Sequence, residues 1–243
     1  MNLNWLSVYQ AACRANLAYE QDPAKSEAGF SSLGQGLIWL GLYQKDSHQA
    51  VACIDTKGEG WLSISGTRFG TNWGDVLDDA MILPRSLGNG VHVTVGAFDG
   101  VEEMWDWANG LVDPSTVWNV CGHSLGAWRT RYTPVFLPAN RIGMLHSFES
   151  PKGANAAYWE KYQQELAGMV SIVNGRDLFV SWPFMSYEWT HPQTPMVWLK
   201  SIGYQLLMPS MWPGGRLLSD HSMDLVEQRC KLIAGVGHGW DRQ

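Results

Sequence analysis

The segment Gly122-His123-Ser124-Leu125-Gly126 is a G-x-S-x-G pattern, an arrangement that presents a serine hydroxyl as a nucleophile. The reason is steric. A serine at a tight strand-to-helix turn is held in a strained backbone conformation with its hydroxyl exposed, and the flanking glycines carry no Cβ to collide with neighbouring elements. The backbone N–H of Leu125, near the start of the following helix, can face a developing oxyanion. A blander reading also exists, in which Ser124 simply caps that helix. Nucleophilic chemistry needs two partners more: a base for the hydroxyl and a carboxylate that orients the base.

The elements that must position these groups follow from hydrophobic spacing. Residues 117–121 form a short apolar run, a buried-strand pattern, and 124–136 is helix-compatible with Pro134 late in it. Trp5, Val8, Tyr9, Ala12, Cys13 and Leu17 predict a helix within 4–20. Runs 50–55 and 61–65 flank Lys57-Gly58-Glu59-Gly60 and predict a hairpin. A helix is expected over 99–111, ended by Asp113-Pro114. Strands are expected over 143–148, Val170–Asn174 and Met196–Leu199, a polar-faced helix over 154–167, and a closing helix over 219–233 with Asp220 as its cap. Strands alternating with helices imply a mainly parallel sheet with helices on both faces, and the early hairpin adds an antiparallel N-terminal edge. That is the outline of an α/β-hydrolase, read as one domain over 1–243.

In that architecture the chain order is serine, then acid, then histidine. Asp177 follows the Val170–Asn174 run and sits just past a strand's carboxyl end, where sites gather in open α/β sheets; its alternative role is that of a turn aspartate. Three histidines lie downstream. His221 is favoured, because the start of the last helix places its side chain on a loop fixed by a packed element. His191, before Pro192, and His238, in a Gly-rich tail, remain alternatives. His48, His92 and His146 precede Asp177 and break the order; His146, inside a strand, reads as a satisfied core histidine. His123 is expected to shape the elbow and not to act as base.

With these residues assembled, the sequence resembles the class 3 lipase family, the fungal-type triacylglycerol lipases and their bacterial and phage relatives. Ile64-Ser65-Gly66-Thr67 resembles "F-R-G-T", Asn72-Trp73-Gly74-Asp75 resembles "D-W-x-x-D", and Val91-His92 with Gly96-Ala97-Phe98 resembles "V-H-x-G-F". The elbow matches letter for letter. Phe148-Glu149-Ser150-Pro151 resembles "F-G-S-P", and Val173-Asn174-Gly175-Arg176-Asp177 with Val180 and Pro183 resembles "V-N-x-x-D-x-V-P". The resemblance spans roughly 50–226. It implies Ser124 as nucleophile, Asp177 as triad acid, His221 as base, and Thr67 beside Leu125 in the oxyanion hole. It also implies a lid over 69–84, for which a fixed surface helix is the alternative. Departures are Ser65 for the family's arginine, Trp128 in the helix after the elbow, and Glu149 for a glycine. The implied activity is carboxylic ester hydrolysis on a small-molecule or lipid ester, with transient lipid-surface contact and with no cofactor and no metal. The competing reading is a catalytically silent scaffold of the same fold that binds a lipid, a glycan or a protein.

Composition sets the outer bounds. The chain has 243 residues, 45% hydrophobic and 16% charged, a globular composition that excludes intrinsic disorder. The net charge of −6 comes without a basic cluster and argues against a nucleic-acid partner. No 18-residue apolar run exists, so no transmembrane helix is expected. Cys13, Cys53, Cys121 and Cys230 are widely spaced and read as reduced, buried thiols. The 14 tryptophans read mostly as core, with a subset available to line a cleft. The first residues have no basic or continuous apolar stretch, so the expected compartment is the cytosol, with signal-independent export as the other route.

Overall fold

The computed structural model describes residues 3–46, 48–67, 82–184 and 188–236. Eight strands form one sheet: β1 (Ile38–Lys45), β2 (His48–Ile54), β3 (Gly60–Ile64), β6 (Trp118–His123), β7 (Ile142–Phe148), β8 (Val170–Asn174), β9 (Met196–Leu199) and β10 (Tyr204–Leu207), in that spatial order. The β3–β6–β7–β8–β9 ladders are parallel, whereas β1–β2, β2–β3 and β9–β10 are antiparallel. A separate ribbon joins β4 (Pro84–Ser86) to β5 (His92–Thr94). The mainly parallel sheet with an antiparallel N-terminal edge is the expected α/β-hydrolase arrangement.

Side chains alternate between the two faces of the sheet. One face, with Leu62, Ile64, Val120 and Leu145, packs on Met104 and Trp105 of α4 (Val101–Gly110), on Trp128 of α5 (Leu125–Thr130) and on Tyr158 of α7 (Ala156–Lys161). The other face, with Cys121, Phe148, Ile172 and Val197, packs on α1 (Trp5–Leu17) and α8 (Met223–Ala234) through Val8, Ala12, Val226 and Cys230. Between them in the chain lie α2 (Pro23–Ser32), α3 (Val95–Phe98) and α6 (Thr133–Phe136). All four cysteines are free and buried. Trp105, Trp118 and Trp128 are among the largest fully buried side chains, so much of the tryptophan content is core.

Several expectations need correction. The helix expected over 124–136 is broken into α5 and α6, because Pro134 has no N–H to continue the ladder. The helix expected over 154–167 is regular only from Ala156 to Lys161; Ala154 instead bridges Val93 and Thr190. The last helix starts at Met223, capped by Ser222, whose side chain accepts from the Leu225 N–H. Asp220 is therefore not a cap, and its task is described below. Elements α2, β1 and β10 were not foreseen. The edge strand β1 lacks clean two-residue alternation, with half-buried residues through its middle and a register shift at Trp39/Gly41.

Trp128 is seated by a glycine. A Cβ on Gly153, in the loop after β7, would lie 1.0 Å from Trp128 Nε1, and the same indole stands edge-on to Trp182 at 5.4 Å between centroids. Overpacking a filled core costs about 1–3 kcal/mol. Gly153→Ala is expected at the upper end of that range in urea unfolding, and a loss below about 0.5 kcal/mol would contradict the packing described.

Candidate active site

The site begins with backbone geometry. Strand β6 runs into α5 through Ser124, whose φ of 58° and ψ of −122° are rare for a residue with a side chain. Close packing on both sides holds this turn. A Cβ on Gly126 would lie 2.1 Å from the Ile64 carbonyl oxygen, and one on Gly122 would lie 2.4 Å from Gly126. The Ser124 N–H donates to the Phe148 carbonyl of β7 at 2.9 Å, and its carbonyl accepts from Trp128 at 3.0 Å. The Ser124 side chain makes no capping hydrogen bond. It reaches instead toward His221, and this rejects the cap reading.

Three expected side chains meet here. The Ser124 hydroxyl lies 2.8 Å from His221 Nε2, and His221 Nδ1 lies 2.8 Å from Asp177 Oδ2. The second oxygen of Asp177 accepts the Phe179 N–H at 2.9 Å. Both carboxylate oxygens thus accept, and Nδ1–H donates, leaving the Nε2 lone pair for the serine proton. The His221 ring is held between Phe179 and His123, with centroids at 4.5 and 4.7 Å.

Asp177 and His221 come from different loops, which are stitched together. The Asp220 carboxylate accepts the Arg176 N–H at 2.7 Å, and its carbonyl accepts from Asn174 Nδ2 at 2.7 Å. Arg176 Nε donates to the Gly214 carbonyl at 2.7 Å, and Leu178 N–H donates to Leu217 at 3.2 Å. Arg229 of α8 donates to Asn174 Oδ1. His221 itself lies on a short 3-10 turn, Ser219–His221, ahead of α8.

Thr67 lies three residues past the end of β3. A Cβ on the preceding Gly66 would be 2.8 Å from Ser124 Cβ, so this strand end runs against the serine. Leu125 is the first residue of α5, where a backbone N–H has no helical acceptor. Thr67 therefore follows the residue that approaches Ser124, and Leu125 follows Ser124 itself in α5. A cleft of ≈ 330 Å³ opens beside His123 and His221, lined also by Asn16, Tyr19, Leu218 and Met223. The segment 69–84 expected as lid or surface helix, with the 72–75 stretch, lies outside the described residues except for 82–84, which lead into the exposed strand β4.

Two residues of the site carried no assigned role. Tyr19 Oη lies 2.6 Å from His123 Nδ1, and His123 Nε2 lies 2.9 Å from Glu149 Oε2. Glu149 is fully buried at the end of β7, in a left-handed conformation with φ 56°. The signal for it was present, as a glutamate where the resemblance expects glycine. Tyr19 gave none, because only the fold brings the end of α1 to the elbow. His123, Glu149 and His221 each bring one potential metal-ligand atom within 4.8 Å of the others. Those atoms already hydrogen-bond to one another and to Asp177.

The competing histidines are occupied elsewhere. His191 accepts from Arg131 Nη1 at 3.1 Å and donates to the Val180 carbonyl at 2.8 Å. His146 is buried and stacked on Phe148, but among the described residues its Nδ1 has no hydrogen-bond partner, so it is not the satisfied histidine expected. His238 lies outside the described residues.

No sequence profile of a protein family matches the chain, and no curated protein matches it. Solved structures do match its fold. The triacylglyceride lipase of Rhizomucor miehei superimposes with a TM-score of 0.65 at 18% identity, covering 90% of this chain and 92% of the lipase. Lipase II from Rhizopus niveus gives 0.65 at 15% identity, covering 89% and 92%. A triacylglycerol lipase with a serine-protease-type triad gives 0.65 at 17%, covering 90% and 92%. The chain therefore has the α/β-hydrolase fold that these lipases share. Among the described residues no helix is long and apolar enough to cross a membrane.

Burial governs the ionisation of the site. It lowers His221 to about 3, His191 to about 3 and His146 to about 4, and lowers His123 well below the usual range with the adjacent His221. It raises the Asp177 and Glu149 carboxyls above theirs. An unfolded histidine takes up its proton near pH 6.5. The stability these imidazoles contribute is therefore present above about pH 6.5 and lost as pH falls toward their lowered values. The two carboxyls act oppositely, stabilising at low pH and losing that stabilisation as pH rises, but four imidazoles oppose them. The melting temperature is expected to fall steadily from pH 7 to pH 4; a constant or rising value across that window would contradict these environments.

Proposed function

We propose that this chain is a serine hydrolase of carboxylic esters, of the lipase, esterase or phospholipase A1 type, with Ser124 as nucleophile, His221 as base and Asp177 as acid. The continuous hydrogen-bonded line Ser124–His221–Asp177, starting from a strained elbow, carries this reading. The Ser124 oxygen attacks the ester carbonyl carbon while its proton passes to His221 Nε2. The carbonyl oxygen becomes an oxyanion that accepts from the backbone N–H groups of Thr67 and Leu125, with the Thr67 hydroxyl as a further donor; each such donor is worth about 3–4 kcal/mol of transition-state stabilisation. Asp177 holds the Nδ1–H tautomer and offsets the charge of the imidazolium. His221 then protonates the leaving alcohol oxygen, and an acyl–Ser124 ester remains. Water attacks that ester, His221 takes the water's proton, and the acid leaves as Ser124 regains its hydrogen.

An apolar or lipid ester is favoured as substrate. Leu217 and Leu218 stand about half exposed, at 48% and 49%, just ahead of His221, and Leu218 lines the cleft. Such side chains suit an acyl chain or a lipid surface at the entrance.

Hydrolysis of p-nitrophenyl esters from acetate upward tests the reading. Ser124→Ala is expected to lower kcat by about a million-fold with the fold intact, and Asp177→Asn by about 10⁴-fold through loss of the working tautomer. Ester turnover by Ser124→Ala equal to that of the parent would reject the nucleophile. A parent that turns over no ester and takes up no fluorophosphonate would favour the silent scaffold.

A further inference from the structure

The buried array behind His221 contains a carboxylate that the reaction above does not use. Glu149 Oε2 lies 3.7 Å from His221 Nδ1, the nitrogen that Asp177 also faces. Its position is costly in two ways. A side chain at φ 56° is disfavoured where glycine would be at ease. A fully buried carboxyl is disfavoured unless paired, and among the described residues its ion-pair neighbours are only the imidazoles of His123 and His221. Strain and burial of this kind persist where the surrounding structure holds them and tend to mark working groups.

The hydrogen bonds leading away from Glu149 have a direction. Tyr19 Oη lies 2.6 Å from His123 Nδ1, where its O–H can donate. That acceptance leaves His123 with a proton on Nε2, which donates to Glu149 Oε2. Tyr19 and His123 both line the ≈ 330 Å³ cleft, so the line joins the buried carboxyl to an opening.

We propose that Glu149 is a positioning residue for the ester-hydrolase reading given above, a second carboxylate on His221 whose deprotonation strengthens the imidazole as a base. Protonated, Glu149 is a neutral neighbour and Asp177 alone supports the imidazolium. Ionised, it faces the same Nδ1–H from a second side and raises the affinity of His221 for the serine proton. The groups around it are Tyr19 after α1, His123 at the elbow, Asp177 after β8, Asp220 and His221 on the 3-10 turn, and Arg229 and Cys230 on α8. Burial and the charges of Asp177 and Asp220 lift its carboxyl well above the ordinary range, with Arg229 opposing. Its ionisation therefore lies above the acid range of an exposed glutamate.

The test is the pH profile of kcat/KM on p-nitrophenyl acetate and of the fluorophosphonate labelling rate, for the parent, Glu149→Gln, Glu149→Gly, Tyr19→Phe and Ser124→Ala. The parent is expected to gain activity in two ionisations as pH rises. Glu149→Gln and Glu149→Gly should each lose one ionisation and about tenfold or more in the upper-pH rate, while Glu149→Gly melts at or above the parent's temperature because the strained φ is relieved. Tyr19→Phe, which removes the hydrogen bond to His123 Nδ1, should move the same ionisation to higher pH. If Glu149→Gln or Glu149→Gly keeps the parent's rate and two-step profile, the inference is overturned. Should neither Glu149 variant fold, an unmoved profile in Tyr19→Phe overturns it as well. A lower melting temperature in Glu149→Gly with an unchanged profile would mark a merely structural residue and also overturn it. An active parent with inactive Ser124→Ala keeps the ester-hydrolase reading intact through any of these outcomes, whereas an inactive parent rejects both.

Discussion

Ser124 holds a backbone conformation that L-residues seldom adopt, and the molecule is built around keeping it there. The turn is confined by close contacts and not by a special residue at its centre. Gly126 approaches the end of β3, Gly122 approaches Gly126, and the Ser124 N–H is tied to β7. These contacts need three parallel strands in fixed register, with Ile64 opposite Gly122 and Gly122 opposite Ser147. The parallel sheet in turn needs helices on both faces, since each of its faces is apolar. The position of one hydroxyl thus depends on elements drawn from most of the chain.

The polar groups around that hydroxyl oppose the stability of the fold. Asp177, Glu149, His123 and His221 are all buried, and burial penalises every one of their charged forms. What holds them is mutual hydrogen bonding, continued through Tyr19 on one side and through Phe179, Asn174 and Asp220 on the other. Each such bond is costly to break, because a missing partner leaves a buried polar atom with a large penalty, although among the described residues Glu149 Oε1 has no hydrogen-bond partner. The proposed chemistry would use that rigidity, since an imidazole held 2.8 Å from the serine hydroxyl needs no rearrangement before proton transfer.

The departures from the lipase pattern acquire separate explanations. Trp128 requires the space left by Gly153, so the two residues form one packing solution. Glu149 is different, because its carboxyl meets the imidazoles of His123 and His221. It brings a carboxyl into the array beside His221 at a backbone angle that suits glycine. One change repacks the core and the other places a carboxyl beside His221, although both look like single-letter deviations in the sequence.

Much of the outline was legible because it is local. The order of strands and helices follows from short apolar runs and helical spacing, and Gly122–Gly126 encodes its own turn through residues without a Cβ. The mainly parallel sheet followed from that alternation, and Asp177 was legible from its place after an apolar strand. What sequence spacing could not decide was anything set by contacts between distant segments. His221 was favoured over His191 and His238 only by its place at the start of the last helix; the stitching of Asp220 to Arg176 and Asn174 is what brings it to Ser124. The edge strands β1 and β10 escaped because half-exposed strands lack a decisive hydrophobic period. Tyr19 and Glu149 lie 130 residues apart in the chain (149 − 19), and their shared line through His123 exists only once α1, β6 and β7 are packed. Residue types and spacing determine which chemistry is available, because they act over a few bonds or one helical turn. The tertiary structure decides which groups share it, because ångström-scale hydrogen bonds between remote loops are properties of the packed whole.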